Sequence, residues 1–292
     1  MTQQDDLLRL LKDSEIKALI LLLDDEDHEV VAHVEEKIMS IGTQIIPFLE
    51  QEWGSTFNPI IQNKIEDLVH ELQFELLKER FLDWKESGAE SLLEGLWIVA
   101  TYQYPDLEMD ELVREMEQLY HELWRHMEDQ MSPQQRIKVF NDIFFNQFRF
   151  RPNTKNFHSP ANSMINAVLE TKKGNPISLC SVYLLLAQKM ELPIYGVNLP
   201  NLFILTYKIG EEAFYINVFN RGLVFTKQDI DNYLENLRLQ KQDIFYEPCS
   251  NLDIVLRALR NLIVSFEKLG DYQKVDEIKF ILQKMDDQYF SL

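Results

Sequence analysis

Apolar residues recur at helical spacing over most of the first half of the chain. In "SEIKALILLLDDEDHEVVAHVEEKIMSIGTQIIPFLEQEW", Val30, Val31, Val34, Ile38 and Ile41 fall on one face of a predicted helix. Asp24, Asp25 and Asp27 punctuate between it and a preceding helix, and Gly42 with Pro47 opens the next. Asn58 to Trp84 is helical by the same pattern. "GAESLLEGLWIVATYQYPDLEMDELVREMEQLYHELWRHM" continues it, interrupted at Pro105. In "SPQQRIKVFNDIFFNQFRF", Ser132 is placed to cap a helix whose first residue is Pro133. Val139, Phe140, Ile143, Phe144 and Phe148 then form an aromatic stripe at helical spacing, a pattern of core rather than of a cofactor site.

After "RPNTKNFHSPANS", a turn-rich connection, the pattern changes. "GNPISLCSVYLLLAQKMELP" sets Asn175 as N-cap and Pro176 in the first turn, where its missing N–H leaves nothing unpaired. Leu179, Cys180, Val182, Tyr183, Leu184, Leu185, Leu186 and Ala187 leave almost no polar face, so this helix is expected to be buried. "IYGVNLP", "LFILTYK", "AFYINVF" and "LVF" follow, β-branched and aromatic runs separated by turn residues. They predict a small antiparallel sheet on which the helix packs. "LDIVLRALRNLIVSFEKLGDYQKVDEIKFILQKMD" reads as two helices joined at "LGDYQK".

The expected architecture is therefore α+β and predominantly helical. Residues 1–85 resemble HEAT-type helical hairpins, 86–248 form the central domain (helical lead-in 86–150, core 151–230), and 249–292 resemble one tetratricopeptide-type hairpin. A length of 292 residues suits such a division.

Charge narrows the partners. The formal net charge of −19, with no Lys/Arg run longer than two, opposes direct binding of nucleic acid or an anionic lipid surface. "MTQQDDLLRLLKDS" lacks the basic-then-apolar order of a secretory signal. Apolar runs such as Ala18–Leu23 fall far short of the roughly 20 residues that span a bilayer. Two cysteines, Cys180 and Cys249, make no disulfide framework. The expectation is a cytoplasmic, reduced protein with protein partners and no cofactor.

Candidate chemistry is sparse. "HELWRH" resembles a zinc signature, but His121 and His126 stand at i, i+5, about 140° apart on a helix, and cannot share a metal. His28 and His33 share that flaw. Neither a dinucleotide nor a Walker glycine pattern occurs. Asp24–Asp27 lacks the spacing of an EF-hand. Glu211-Glu212 falls in an expected hairpin turn beside Gly210. Cys180 lies a full turn inside its helix, deeper than the position where free N–H groups favour a thiolate.

"NSMINAVLETKKGNPISLCSVYLLLAQKMELPIYGVNLPNLFILTY…FYINVFNRG" resembles the SirB1 family of transglutaminase-like proteins. The resemblance runs from about Glu90 to Asp229 and is most specific at Asn162-Ser163, at Gly174 with Pro176–Leu179, and at Asn220 and Gly222. It implies a papain-like α+β core in which a helix-start cysteine attacks an acyl group, a histidine on the next strand deprotonates it, and an aspartate orients the imidazole. By resemblance the cysteine position falls on Pro176, or on Ser178 in a shifted register. The histidine position falls on Leu202 and the aspartate position on Asn217. No histidine follows the helix, and His158 precedes it in a loop, where a solvated role is expected. The resemblance thus implies an inert scaffold or regulatory protein with no catalytic residues and a remnant cleft near Asn175, Ser178, Cys180 and Asn201. The competing expectation is an acyl hydrolase or transferase using Cys180 or Ser178 with an unconventional base.

Overall fold

In the computed structural model, which describes residues 13–210 and 212–286, the apolar period of the first segment becomes a set of stacked helices. The opening "MTQQDDLLRLLK" and Glu211 lie outside the described residues. The chain divides into two units, Met1–Arg80 and Phe81–Leu292.

The first unit contains α1 (Asp13–Leu21), α2 (His28–Ile41), α3 (Ile46–Ser55) and most of α4 (Pro59–Glu86). The acidic turn has a capping role: the Asp27 carboxylate accepts the Glu29 N–H at 2.9 Å at the start of α2. Gly42, at φ 81°, ends that helix in a conformation that only glycine adopts without strain. Ile16, Ile20, Ile38, Ile41, Ile45, Leu49, Ile65 and Leu72 are buried together as the core of this unit.

The second unit begins with α5 (Leu92–Thr101), α6 (Met109–Trp124) and α7 (Pro133–Asp142). Ser132 and Gln135 form a reciprocal capping box at the start of α7. The aromatic stripe does not continue in α-helical register, because Ile143–Gln147 forms a π-helical turn. The wider turn rotates the following side chains. Phe140 and Phe144 are fully buried and Phe145 joins them, whereas Val139 and Phe148 are only half-buried.

A short parallel pair, β1 (Arg151–Pro152) with β2 (Lys173–Gly174), brackets α8 (Ile165–Thr171) and leads into α9 (Pro176–Lys189). β3 (Ile194–Leu199), β4 (Leu202–Ile209), β5 (Glu212–Asn217) and β6 (Leu223–Phe225) form an antiparallel meander in sequence order. α9 packs on β3 and β4. α10 (Lys227–Asn236) supplies Ile230 and Leu234 to a separate cluster with Val197, Leu199, Ile204 and Tyr215. The middle of β4, Phe203 to Tyr207, is buried on both faces, which explains its nearly continuous apolar sequence. The hairpin of α11 (Asn251–Leu269) and α12 (Tyr272–Met285) belongs to the second unit, with α11 packed against α5 and α9. No described helix is long and apolar enough to cross a membrane.

Candidate functional site

The start of α9 is held by short-range polar bonds that the sequence encodes directly. The Asn175 carboxamide oxygen accepts the Ser178 N–H at 2.9 Å, and the Ser178 hydroxyl accepts the Asn175 N–H at 3.1 Å. Asn175 Nδ2 donates to the Ser163 hydroxyl at 2.8 Å. Asn162 donates to the carbonyls of Asn156 and Phe157 at 2.7 and 2.9 Å, and its own oxygen accepts from Asn153. This buried asparagine therefore fixes the loop that carries Phe157 and His158. A Cβ at Gly174 would collide with the Ser178 hydroxyl, so only glycine lets the chain enter the helix here.

Gly222 has an equally local reason. Its φ is +71°, and a Cβ there would strike the Asn141 carboxamide. Asn141 Nδ2 donates to the Gly222 carbonyl at 3.0 Å, while its oxygen accepts from the Tyr183 hydroxyl at 3.1 Å. One side chain of α7 thus ties the β5–β6 connection to α9.

Beside the start of α9 lies a cavity of about 230 Å³. Asn175, Pro176 and Ile177 line it from the helix, Phe157 and His158 from the preceding loop, and Asn201 and Phe203 from the β3–β4 turn and β4. Arg257, Asn261, Val264 and Ser265 close it from α11. Of the residues singled out in the sequence, Asn175, Pro176, Asn201 and the loop histidine His158 meet here. Ser178, Cys180, Leu202 and Asn217 do not line it.

Each of those four is engaged elsewhere. The Ser178 hydroxyl is bonded to Asn175 twice, accepting its N–H and donating to its carbonyl at 3.3 Å. Cys180 is 0% exposed, and its thiol donates to the Phe203 carbonyl at 3.5 Å. Burial pushes this thiol far above its ordinary range, opposed only in part by the Val218 backbone N–H. Leu202 packs with the Ile204, Tyr215 and Leu234 cluster. Successive strand residues alternate in face, so Phe203 rather than Leu202 reaches the cavity. The Asn217 oxygen accepts the Asn220 N–H at 3.0 Å, capping the 3₁₀ turn Val218–Asn220.

His158 is exposed and stacks edge-on against Phe157, with ring centroids 5.2 Å apart, yet it also lines the cavity. The Ser265 hydroxyl donates to the Asn261 carbonyl of its own helix at 2.9 Å. Cys249 is half-buried, and burial pushes its thiol up to about 12. Among the described residues no cluster of His, Cys, Asp or Glu is placed to hold a metal. Sequence reasoning misses the α11 residues because apolar periodicity tells which face of a helix is buried, not what it is buried against. A signal exists: Arg257, Asn261 and Ser265 recur every four residues, a polar stripe that runs beside the apolar positions Leu256, Leu259, Leu262, Ile263 and Phe266 of the same helix.

Comparison with known proteins places this architecture. A family model described as the transglutaminase-like superfamily matches residues 110–260. The chain is 23% identical over 167 residues to a UPF0162 protein of Pasteurella multocida, covering 57% of this chain and 58% of that protein. It is 27% identical over 137 residues to a UPF0162 protein of Vibrio cholerae, covering 47% and 51%. It is 24% identical over 164 residues to F-box only protein 21 of Mus musculus, covering 53% of this chain and 25% of that one. The chain thus spans less than two thirds of the length of these relatives. No solved structure matches it. The family match takes in just over half of the chain, with α9, the four-stranded sheet and most of the cavity lining inside it, and the chain belongs to the transglutaminase-like superfamily.

Proposed function

We propose that this chain is a catalytically inert transglutaminase-like protein that works by binding, as a scaffold or regulatory component with protein partners. The observation that carries this reading is the chemistry at the head of α9. Pro176, which has no nucleophile, lines the cavity, while the thiol of the same helix, Cys180, is fully buried and bonded to the Phe203 carbonyl. A thiol needs an electropositive, accessible setting to react, and this one has neither. The strand residue facing the cavity is Phe203, so the sheet supplies no base. The matches between Asn162-Ser163, Gly174–Leu179 and Gly222 and the SirB1 family support a place within that branch. Those residues here hold backbone together, a role compatible with loss of catalysis. The charge of −19 favours protein partners over nucleic acid or membrane.

The competing reading, acyl transfer through Cys180 or Ser178, requires either side chain to reach the cleft, and both are turned to backbone partners. Incubation with acyl-ester and glutamine-amide peptide substrates tests the proposal. The expected result is no turnover above the uncatalysed rate in the wild-type protein or in Cys180→Ser. Turnover that disappears in Cys180→Ser or in Ser178→Ala would overturn it.

A further inference from the structure

The cavity has a charge character opposite to that of the chain. The sequence carries 48 acidic and 29 basic residues, yet among the described residues no carboxylate lines the cavity, whereas Arg257 does. Arg257 is half-buried and commits Nη1 to the Asn198 carboxamide oxygen at 2.6 Å and to the Leu199 carbonyl at 3.2 Å. Those two bonds fix the plane of the guanidinium. Its Nε and Nη2 donors have no hydrogen-bond partner among the described residues. The titratable groups around it are Arg260, itself a cation, and Tyr233 and Cys249, both of which burial keeps protonated and neutral; none is a carboxylate. A half-buried cation without a counter-ion is costly, and an anion from solution relieves that cost. Asn261, one helical turn further along α11, and Asn201 also line the cavity, and neither side chain has a hydrogen-bond partner among the described residues.

We propose that the cavity is a binding site for a small oxyanion, a carboxylate or a phosphate, gripped by Arg257 with Asn261 and Asn201 as further donors. The planar fork of arginine matches the paired oxygens of either group. Phe203 and Val264 supply apolar wall for a short organic remainder. This inference rests on the reading that the cleft binds rather than converts its ligand, and the two fail separately.

The experiment titrates the full chain with sodium succinate and, separately, sodium phosphate at constant ionic strength, with sodium chloride as control, following amide and arginine Nε–H resonances by NMR. At least one of the two anions is expected to give saturable shifts at Arg257 and around Asn201, and which one does so distinguishes the two sources. Arg257→Gln is expected to bind about tenfold more weakly or worse, as is Asn261→Asp. The latter is nearly isosteric, breaks no side-chain hydrogen bond, and so retains the fold if Arg257→Gln does not. Absence of saturation with both anions, or unchanged affinity in a folded Asn261→Asp, overturns the anion site while leaving the inert reading intact. Saturable binding with conversion of the ligand would instead keep the site and overturn the inert reading.

Discussion

Replacing Phe144 by alanine is expected to destabilise the second unit by about 3–5 kcal/mol, the range for removing a fully buried aromatic. Phe144 is 0% exposed and stacks on Phe150 with ring centroids 4.5 Å apart. It meets Tyr183 edge-on at 5.1 Å and Phe145 at 5.0 Å. Tyr183 in turn stacks on Phe140 at 4.0 Å. The cluster therefore joins α7 and its π-helical turn to the middle of α9, and a ring-sized void there loosens the helix on which the cleft is built. Equilibrium urea unfolding read by near-ultraviolet circular dichroism measures the loss. The same truncation at Phe57, which is fully exposed, is expected to change stability by no more than about 0.5 kcal/mol. A loss below about 1 kcal/mol at Phe144 would contradict this packing.

Alkaline pH gives the second large effect, and its sign follows from the burial of Cys180. An ordinary thiol loses its proton near 9.0, but in the folded protein burial holds the proton on this sulfur well above that value. Below pH 9 folded and unfolded chains both keep it, and its contribution to stability is complete. As pH rises above that point the unfolded chain releases a proton that the native chain retains. Stability then falls by about 1.4 kcal/mol per pH unit for this one group. Cys249, pushed up to about 12, and Tyr183, also raised by burial, act in the same direction. The measurement is therefore a comparison: the stability of the wild type relative to Cys180→Ala, from urea unfolding at about pH 8.5 and about pH 10.5. The difference is expected to shift against the wild type by about 2 kcal/mol across that window. A pH-independent difference would mean that the thiol is not shielded from water.

What is legible in the sequence is local. Asn175, Pro176 and Ser178 encode their cap through spacing alone, as do Ser132, Pro133 and Gln135, because the bonding partners lie within one turn of each other. The four strands are readable from β-branched runs and turn residues, and their meander follows from short connections. The buried character of α9 follows from its lack of a polar face. The site is less readable because it is assembled from distant segments. Arg257 stands far along the chain from Asn175, on a helix whose sequence fits a free-standing hairpin equally well. His158 is in view, but nothing in its loop says that Asn162 gathers the carbonyls of Asn156 and Phe157 and so sets that loop beside the helix start. The choice between Leu202 and Phe203 depends on strand register, where a shift of one residue exchanges the two faces of the sheet.

The central claim is that the helix thiol of this transglutaminase-like fold is core and that the cleft above it has no thiol of its own. Iodoacetamide treatment of the native protein near neutral pH, followed by mass spectrometry of the Cys180 peptide, tests it most directly. The account requires Cys180 to stay unmodified while the protein is folded and to alkylate readily once denaturant is added. Rapid, selective alkylation of Cys180 in the folded protein would contradict it.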